Sequence, residues 1–313
     1  VTAAPRPAGD DGPRPVVAVT GATGYLGSIL EDAFHAVGYD VRRLVRTVRP
    51  GTSDRAFTLG AAVEPAVLDG VDVLVHCAYD MTLTRRTDIW ETNVFGTVAL
   101  LDAAVAAGVR STVAVSSMSA YPGTRQLYGR AKLDTELAAL ARGMRVVRPG
   151  LVYGPAWGGM AGTLRKLATL PVLPDFGPGA HQFTVHEDDL AAAVVAVARA
   201  ERLPGVPVGI AFPDPLPFRQ LVTALAVGQG RPAPRFVPVP PTAASAALRV
   251  AESLGLPLPV RADSLLGLVR PAPVVANVDV LTGLGVSPRP FDARVGTDVP
   301  GSAAVDPGAG SHR

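Results

Sequence analysis

Two side chains four residues apart, Tyr128 and Lys132 in Tyr128-Gly129-Arg130-Ala131-Lys132, could move protons from one face of a helix. An ammonium beside a phenol favours the phenolate, so the pair predicts a tyrosine pKa drawn down towards the range useful in acid–base work. Ser117, in Ser116-Ser117-Met118-Ser119-Ala120-Tyr121, follows a β-branched run and offers a hydroxyl to a substrate oxygen on which charge develops. Serine, tyrosine and lysine together suit hydride transfer at a secondary alcohol or ketone carbon. The serine holds the oxygen and the tyrosine exchanges its proton. The lysine tunes the tyrosine and reaches a nicotinamide ribose.

Such chemistry needs a dinucleotide, and the chain begins with a turn suited to one. The apolar run Val16–Thr20 leads directly into Thr20-Gly21-Ala22-Thr23-Gly24-Tyr25-Leu26-Gly27. In this TGxxGxxG pattern Gly21 permits a sharp turn and Gly24 lets backbone approach a pyrophosphate. Gly27 allows close helix–strand packing, and the helix N-terminus offers N–H groups to the phosphates. The next strand ends in Val41-Arg42-Arg43-Leu44-Val45-Arg46 without the carboxylate that would bind both ribose hydroxyls of NAD. An arginine there suits the 2′-phosphate of NADP. Arg46 is the expected partner, with Arg43 as a helper, so NADP is favoured and NAD kept as the other cofactor.

These residues must be positioned by alternating strands and helices. Strands are expected at Val16–Thr20, Val41–Val45, Val71–Cys77, Thr112–Ser116 and Arg145–Arg148, with a short one near Phe57–Leu59. Helices are expected at Leu26–Val37, Gly96–Ala107 and Tyr128–Ala141, each closed by a glycine. The alternation predicts an α/β, Rossmann-type doubly wound parallel sheet. The dinucleotide domain should span 15–155, with 182–200 returning to it. Proline clusters after Val152 predict a smaller mixed substrate region over 156–296, and flexible tails are expected at 1–14 and 297–313.

Taken in order, these motifs resemble the extended short-chain dehydrogenase/reductase family, the NAD-dependent epimerases and dehydratases. The resemblance runs from Val16 to Val295. Besides the segments above it rests on Asp72–Ala78, Asn93-Val94-Phe95-Gly96-Thr97, Arg148–Pro155 and Phe183–Ala191. It implies that Ser117, Tyr128 and Lys132 are catalytic. It further implies that Cys77, Ala78 and Tyr79 line the cofactor, that Asn93 lies near it, and that Pro149 and Gly150 flank the nicotinamide. With Gly21, Thr23, Gly24, Tyr25, Leu26, Gly27, Arg46 and Ser116, these complete the expected cofactor set. Thr184–Ala191 is expected as a helix entry supporting the substrate cleft, and Asn277–Gly285 as the C-terminal helix end. Pairing into a homodimer through helices of the sheet is common in the family. The ten residues between Ser117 and Tyr128, and the short segment between Ala78 and Asn93, depart from its sugar-nucleotide enzymes.

Composition narrows the alternatives. With 48% hydrophobic and 18% charged residues, a net charge of +2 and no basic stripe, the chain reads as globular with no nucleic-acid partner. Mean hydropathy is +0.28, yet the apolar stretches are too short to span a membrane, and the opening residues do not read as a secretory signal. The single cysteine, Cys77, requires no oxidising compartment, and a cytoplasmic location is expected. His186-Glu187-Asp188-Asp189 suits a helix start, and no metal is expected. Trp157 is the expected aromatic contact to a substrate, ahead of Trp90.

The leading expectation is an NADP-dependent ketoreductase acting on a small or sugar-like substrate. An NAD-dependent nucleotide-sugar 4-epimerase or dehydratase is one alternative, and a non-catalytic NADP sensor is another. A sensor would need no proton relay.

Overall fold

The computed structural model describes residues 13–254, 256 and 260–295. Apart from Pro13 and Arg14, the two expected tails lie outside the described residues. The strands are β1 Val16–Thr20, β2 Asp40–Val45, β3 Arg55–Ala56, β4 Val73–His76, β5 Ser111–Val115, β6 Arg145–Pro149, β7 Leu151–Tyr153, β8 Val172–Asp175, β9 His181–Gln182, β10 Thr184–His186, β11 Val208–Ile210, β12 Leu216–Pro217 and β13 Arg235–Pro238. The α-helices are α1 Tyr25–Ala36, α2 Arg86–Ile89, α3 Gly96–Ala106, α4 Leu127–Ala141, α5 Gly159–Leu167, α6 Glu187–Arg199, α7 Phe218–Gly228, α8 Pro241–Ser253, α9 Ala262–Val269 and α10 Val278–Gly283.

Seven strands form a parallel central sheet in the order β11-β6-β5-β4-β1-β2-β3. Continuous runs such as Val-Val-Ala-Val in β1 and Val-Leu-Val in β4 are buried because helices cover both faces. One face packs on α1 and α6 through Leu30, Phe34, Leu190 and Val194. On the other side Leu44 and Leu74 meet Leu100 and Ala104 of α3. The order in which strands are added reverses between β1 and β4, so their carboxyl ends open a crevice of the kind that receives ligands in such sheets.

Three differences from the sequence expectation are instructive. The third strand is only Arg55–Ala56, displaced from Phe57–Leu59, where Phe57 turns into the core. β11 lies inside the span assigned to the substrate region yet forms the edge of the central sheet beside β6. The segment Gln182–Ala200 divides into β9, β10 and α6, and β10 pairs with β7 apart from the main sheet. The break between β6 and β7 falls at Gly150, where a Cβ would come within 2.4 Å of the Phe183 carbonyl oxygen.

A second apolar cluster, including Tyr153, Leu164, Leu221, Val222 and Leu225, joins α5, α7 and β7 beyond the sheet's carboxyl edge. The helices α8 and α9 pack on each other, and α9 reaches back to α4. This region walls the space above the crevice.

Candidate active site

The glycine turn sits where the strand order reverses. Gly21 has φ +66°, and a Cβ on it would come within 2.9 Å of the Ala78 backbone nitrogen, so the β1 and β4 turns pack backbone to backbone. At Gly27 a Cβ would lie 2.1 Å from the Gly21 carbonyl oxygen. Its expected role as a helix–strand spacer is therefore refined, since it fits the helix against the turn itself. No side chain caps α1 at Gly24. A tight turn, backbone without a Cβ and an uncapped helix start fit a pyrophosphate. The residues present thus fit a dinucleotide, with Gly21, Gly24, Tyr25, Leu26, Gly27, Cys77, Tyr79, Ser116, Pro149 and Gly150 lining the adjoining cavity.

A buried relay locks this floor. The Thr97 hydroxyl donates to the Asn93 carbonyl at 2.6 Å and lies 2.9 Å from His76 Nε2. It can therefore only accept from the imidazole, which places the ring proton on Nε2. His76 Nδ1 then accepts from the Thr20 hydroxyl at 2.7 Å. Thr20 Oγ1 in turn accepts the N–H groups of Cys77 and Ala78 at 3.1 and 3.2 Å. Burial, with the Lys132 charge as a lesser cause, pulls the His76 pKa down to about 3 and keeps the ring neutral. Asn93 lies in a π-helical turn, Trp90–Phe95, and grips Asp80 by accepting its N–H at 2.7 Å and donating to its carbonyl at 3.3 Å. It thus braces the loop that follows β4.

Ser117, Tyr128 and Lys132 meet on the wall of one cavity, continuous with the glycine turn. Tyr128 packs edge-on to Tyr79, ring centres 4.9 Å apart, and the Lys132 ammonium lies over both rings at 6.0 and 5.0 Å. The electrostatics correct the sequence expectation. Burial raises the Tyr128 pKa to about 12, opposed by a hydrogen bond with Ser117. Lys132 donates to the Val115 carbonyl at 2.8 Å instead of to the phenol, and burial lowers its own pKa to about 8. Desolvation is the largest cause for both groups, raising the pKa of the neutral acid and lowering that of the cation. The Cys77 thiol, half-buried on the same wall, is likewise pushed up to about 12 by burial, which suits a small wall residue and not a nucleophile.

Folding therefore strips a proton from Lys132 between about pH 8 and its unfolded value of 10.5. The wild-type chain gains stability as pH rises through that window and carries the full burial penalty below it. In Lys132→Met this dependence disappears. Urea denaturation at stepped pH is expected to show the wild type gaining on the variant by on the order of 3 kcal/mol between pH 8 and 10.5. A constant difference across the window would remove the buried cation from the account.

Beneath this group lies an ion pair that the sequence reading did not single out. Glu136, one helical turn beyond Lys132, accepts two hydrogen bonds from Arg148 of β6 and one from the Ser116 hydroxyl. Both partners are nearly enclosed, with side-chain exposures of 3% and 12%. The Ser116 hydroxyl proton is therefore committed to Glu136. The four-residue spacing Tyr128-Lys132-Glu136 was a readable signal, but the partner strand was not. Asp263 of α9 was also missed. Its carboxylate accepts the N–H groups of Leu127 at 2.8 Å and Tyr128 at 3.2 Å, capping α4 from the opposite wall. No local pattern around Asp263 announces that contact.

Other expected residues lie elsewhere. Thr23 is exposed on the outer side of the turn, and Arg46 is exposed just past β2, outside the cavity lining. Arg43 faces α1, with Nε 3.3 Å from Glu31, so it is not poised as a helper to Arg46. Tyr25 donates to Glu187 at 2.9 Å and stacks over Gly158, tying the start of α1 to that of α6. Trp157 is corrected from substrate contact to core. It is buried at φ +43°, its indole N–H donates to the Val295 carbonyl at 2.8 Å, and it packs near Tyr153. Trp90 instead donates to Asp134 at 2.8 Å. In the His186–Asp189 run, His186 Nδ1 caps α6 by accepting from Asp188 N–H at 3.2 Å, and Asp189 pairs with Arg289. Asn277 stands in the left-handed region at φ +51° and starts α10, which packs on β11.

Comparison with known proteins agrees with this geometry. The family model described as the NAD dependent epimerase/dehydratase family matches residues 17–206. A ceramide reductase of Caulobacter vibrioides is 34% identical over 196 residues, which is 59% of this chain and 62% of that protein. A 3-diazoavenalumate denitrifying reductase of a Streptomyces species is 33% identical over 258 residues, covering 71% of this chain and 84% of the relative. Among solved structures, the dTDP-glucose 4,6-dehydratase DesIV of Streptomyces venezuelae, with NAD bound, superposes with a TM-score of 0.60. It is 24% identical and covers 81% of this chain and 95% of its own, which shows the shared fold. With the glycine turn at the reversal of strand order and the family match across more than half its length, the chain belongs to the NAD-dependent epimerase/dehydratase family.

Proposed function

We propose that this chain is an NADP-dependent ketoreductase, converting a ketone to a secondary alcohol, with Ser117, Tyr128 and Lys132 as its catalytic residues. The observation that carries this reading is the meeting of those three side chains on one cavity wall that runs continuously to the glycine turn. When bound, the nicotinamide cofactor supplies the hydride to the carbonyl carbon. The chain's own residues hold the oxygen and deliver the proton. Ser117 donates to the substrate oxygen, and Tyr128 gives it the phenolic proton. With burial raising its pKa to about 12, the phenol holds its proton at neutral pH and so has one to give in the reductive direction. Lys132, mostly cationic below about pH 8, stabilises the phenolate left behind and reaches towards the ribose. The intact proton relay argues against a sensor.

The NADP preference rests on Arg46, exposed just past β2, whose closing residues Leu44 and Val45 bring no carboxylate. Charge-assisted contacts of a guanidinium with a phosphate contribute about 1.5–3 kcal/mol. Arg46→Ala is thus expected to weaken NADPH binding about ten- to a hundredfold while leaving NADH within about twofold. Titration of nicotinamide fluorescence with both cofactors measures this, and equal NADPH affinity in the variant would remove Arg46 from the role.

A further inference from the structure

We propose that the substrate of this site is a bulky, predominantly apolar alcohol or ketone, not a nucleotide-activated sugar; this rests on the hydride-transfer reading above. The cavity measures about 850 Å³ and extends from the glycine turn, past Tyr128, into the space between α5, α7, α8 and α9. There its walls include Leu167, Leu170, Phe176, Val222, Leu248 and Leu268. A largely apolar wall with a few placed polar groups is what holds an apolar ligand.

The charges decide the class. Among the described residues lining the cavity, only Lys132, Arg261 and Asp263 carry charge. Each already has a partner within the protein. Lys132 donates to the Val115 carbonyl, and Arg261 donates to the carbonyls of Met81 at 2.7 Å and Leu83 at 3.3 Å. Asp263 accepts from the start of α4. A nucleotide sugar brings a diphosphate of its own besides that of the cofactor. Enclosing it here would bury more anionic oxygens than the two lining cations can neutralise, which disfavours binding. Tyrosine and serine can meet the reacting oxygen, whereas a second diphosphate would find one cation apart from the Lys132 beside the reacting centre, Arg261, amid mainly aliphatic walls.

A further observation points the same way. Met81, Met160, Leu170 and Val172 line the same cavity yet are exposed, so apolar side chains gather at its mouth.

The test is a calorimetric binding titration on the protein loaded with oxidised NADP, which cannot reduce a ketone, with methyl ketones from hexanone to tetradecanone and with UDP-glucose. NADPH affinity is measured separately. Affinity is expected to rise about three- to fourfold per added methylene until the cavity is filled, with no detectable UDP-glucose binding. Leu268→Arg should flatten the chain-length dependence while NADPH still binds. If that variant does not fold, Leu170→Arg at the exposed mouth gives the same readout. Affinity independent of chain length, a dependence unchanged in the arginine variants, or UDP-glucose binding tighter than the longest ketone would each overturn the apolar assignment and leave the ketoreductase reading standing. Failure to bind NADPH or NADH at all would overturn that reading, and this inference with it.

Discussion

Tyr128→Phe is expected to lower kcat by about a hundred- to ten-thousandfold while changing NADPH affinity no more than severalfold. The substitution removes only the phenolic oxygen. The ring can keep its edge-on contact with Tyr79, 4.9 Å between centres, so the cavity wall should persist. What disappears is the proton donor beside Ser117. A loss of this size corresponds to about 3–5 kcal/mol of transition-state stabilisation. Steady-state turnover of a ketone, paired with cofactor titration, separates it from misfolding. Turnover within tenfold of the wild type would assign proton delivery to another group and dismiss the proposed role of Tyr128.

The second large effect is on stability. Glu136→Ala is expected to cost about 3–5 kcal/mol, because it leaves the Arg148 guanidinium enclosed without a counter-charge. It also deprives the Ser116 hydroxyl of its acceptor. The pair joins α4, which carries Tyr128 and Lys132, to β6, which ends at Pro149, and to the end of β5 before Ser117. Replacing both charges, as in Glu136→Leu with Arg148→Met, should recover most of the loss, since no unpaired ion then remains. Urea denaturation midpoints of the two single variants and the double variant measure the coupling. Additive single losses would mean that the pair is not a unit.

The periodic segments were legible because their burial is dictated locally. Val16–Thr20 and the Leu30/Phe34 stripe of α1 have one way to hide their apolar groups, as a covered strand and an amphipathic helix. The glycine turn was legible for the same kind of reason, since Gly21 takes a positive φ and Gly27 admits no Cβ. Less legible were the short strands. β3 is two residues long, and β11 is recognisable only once β6 is there to pair with it.

What the residue order alone determined is the succession of strands and helices and the presence of Ser117, Tyr128 and Lys132 at their ends, because backbone geometry and amphipathic spacing act over a few residues. What tertiary structure decided is everything that depends on partners distant in sequence. Enclosure by remote walls turned the expected acidic tyrosine into one with a pKa near 12 and sent the Lys132 amine to Val115. Likewise, the Val295 carbonyl drew Trp157 into the core, and the start of α4 drew Asp263 across the cavity. Desolvation and long-range hydrogen bonding sum over the whole surroundings of a group, and those surroundings exist only once the chain has folded.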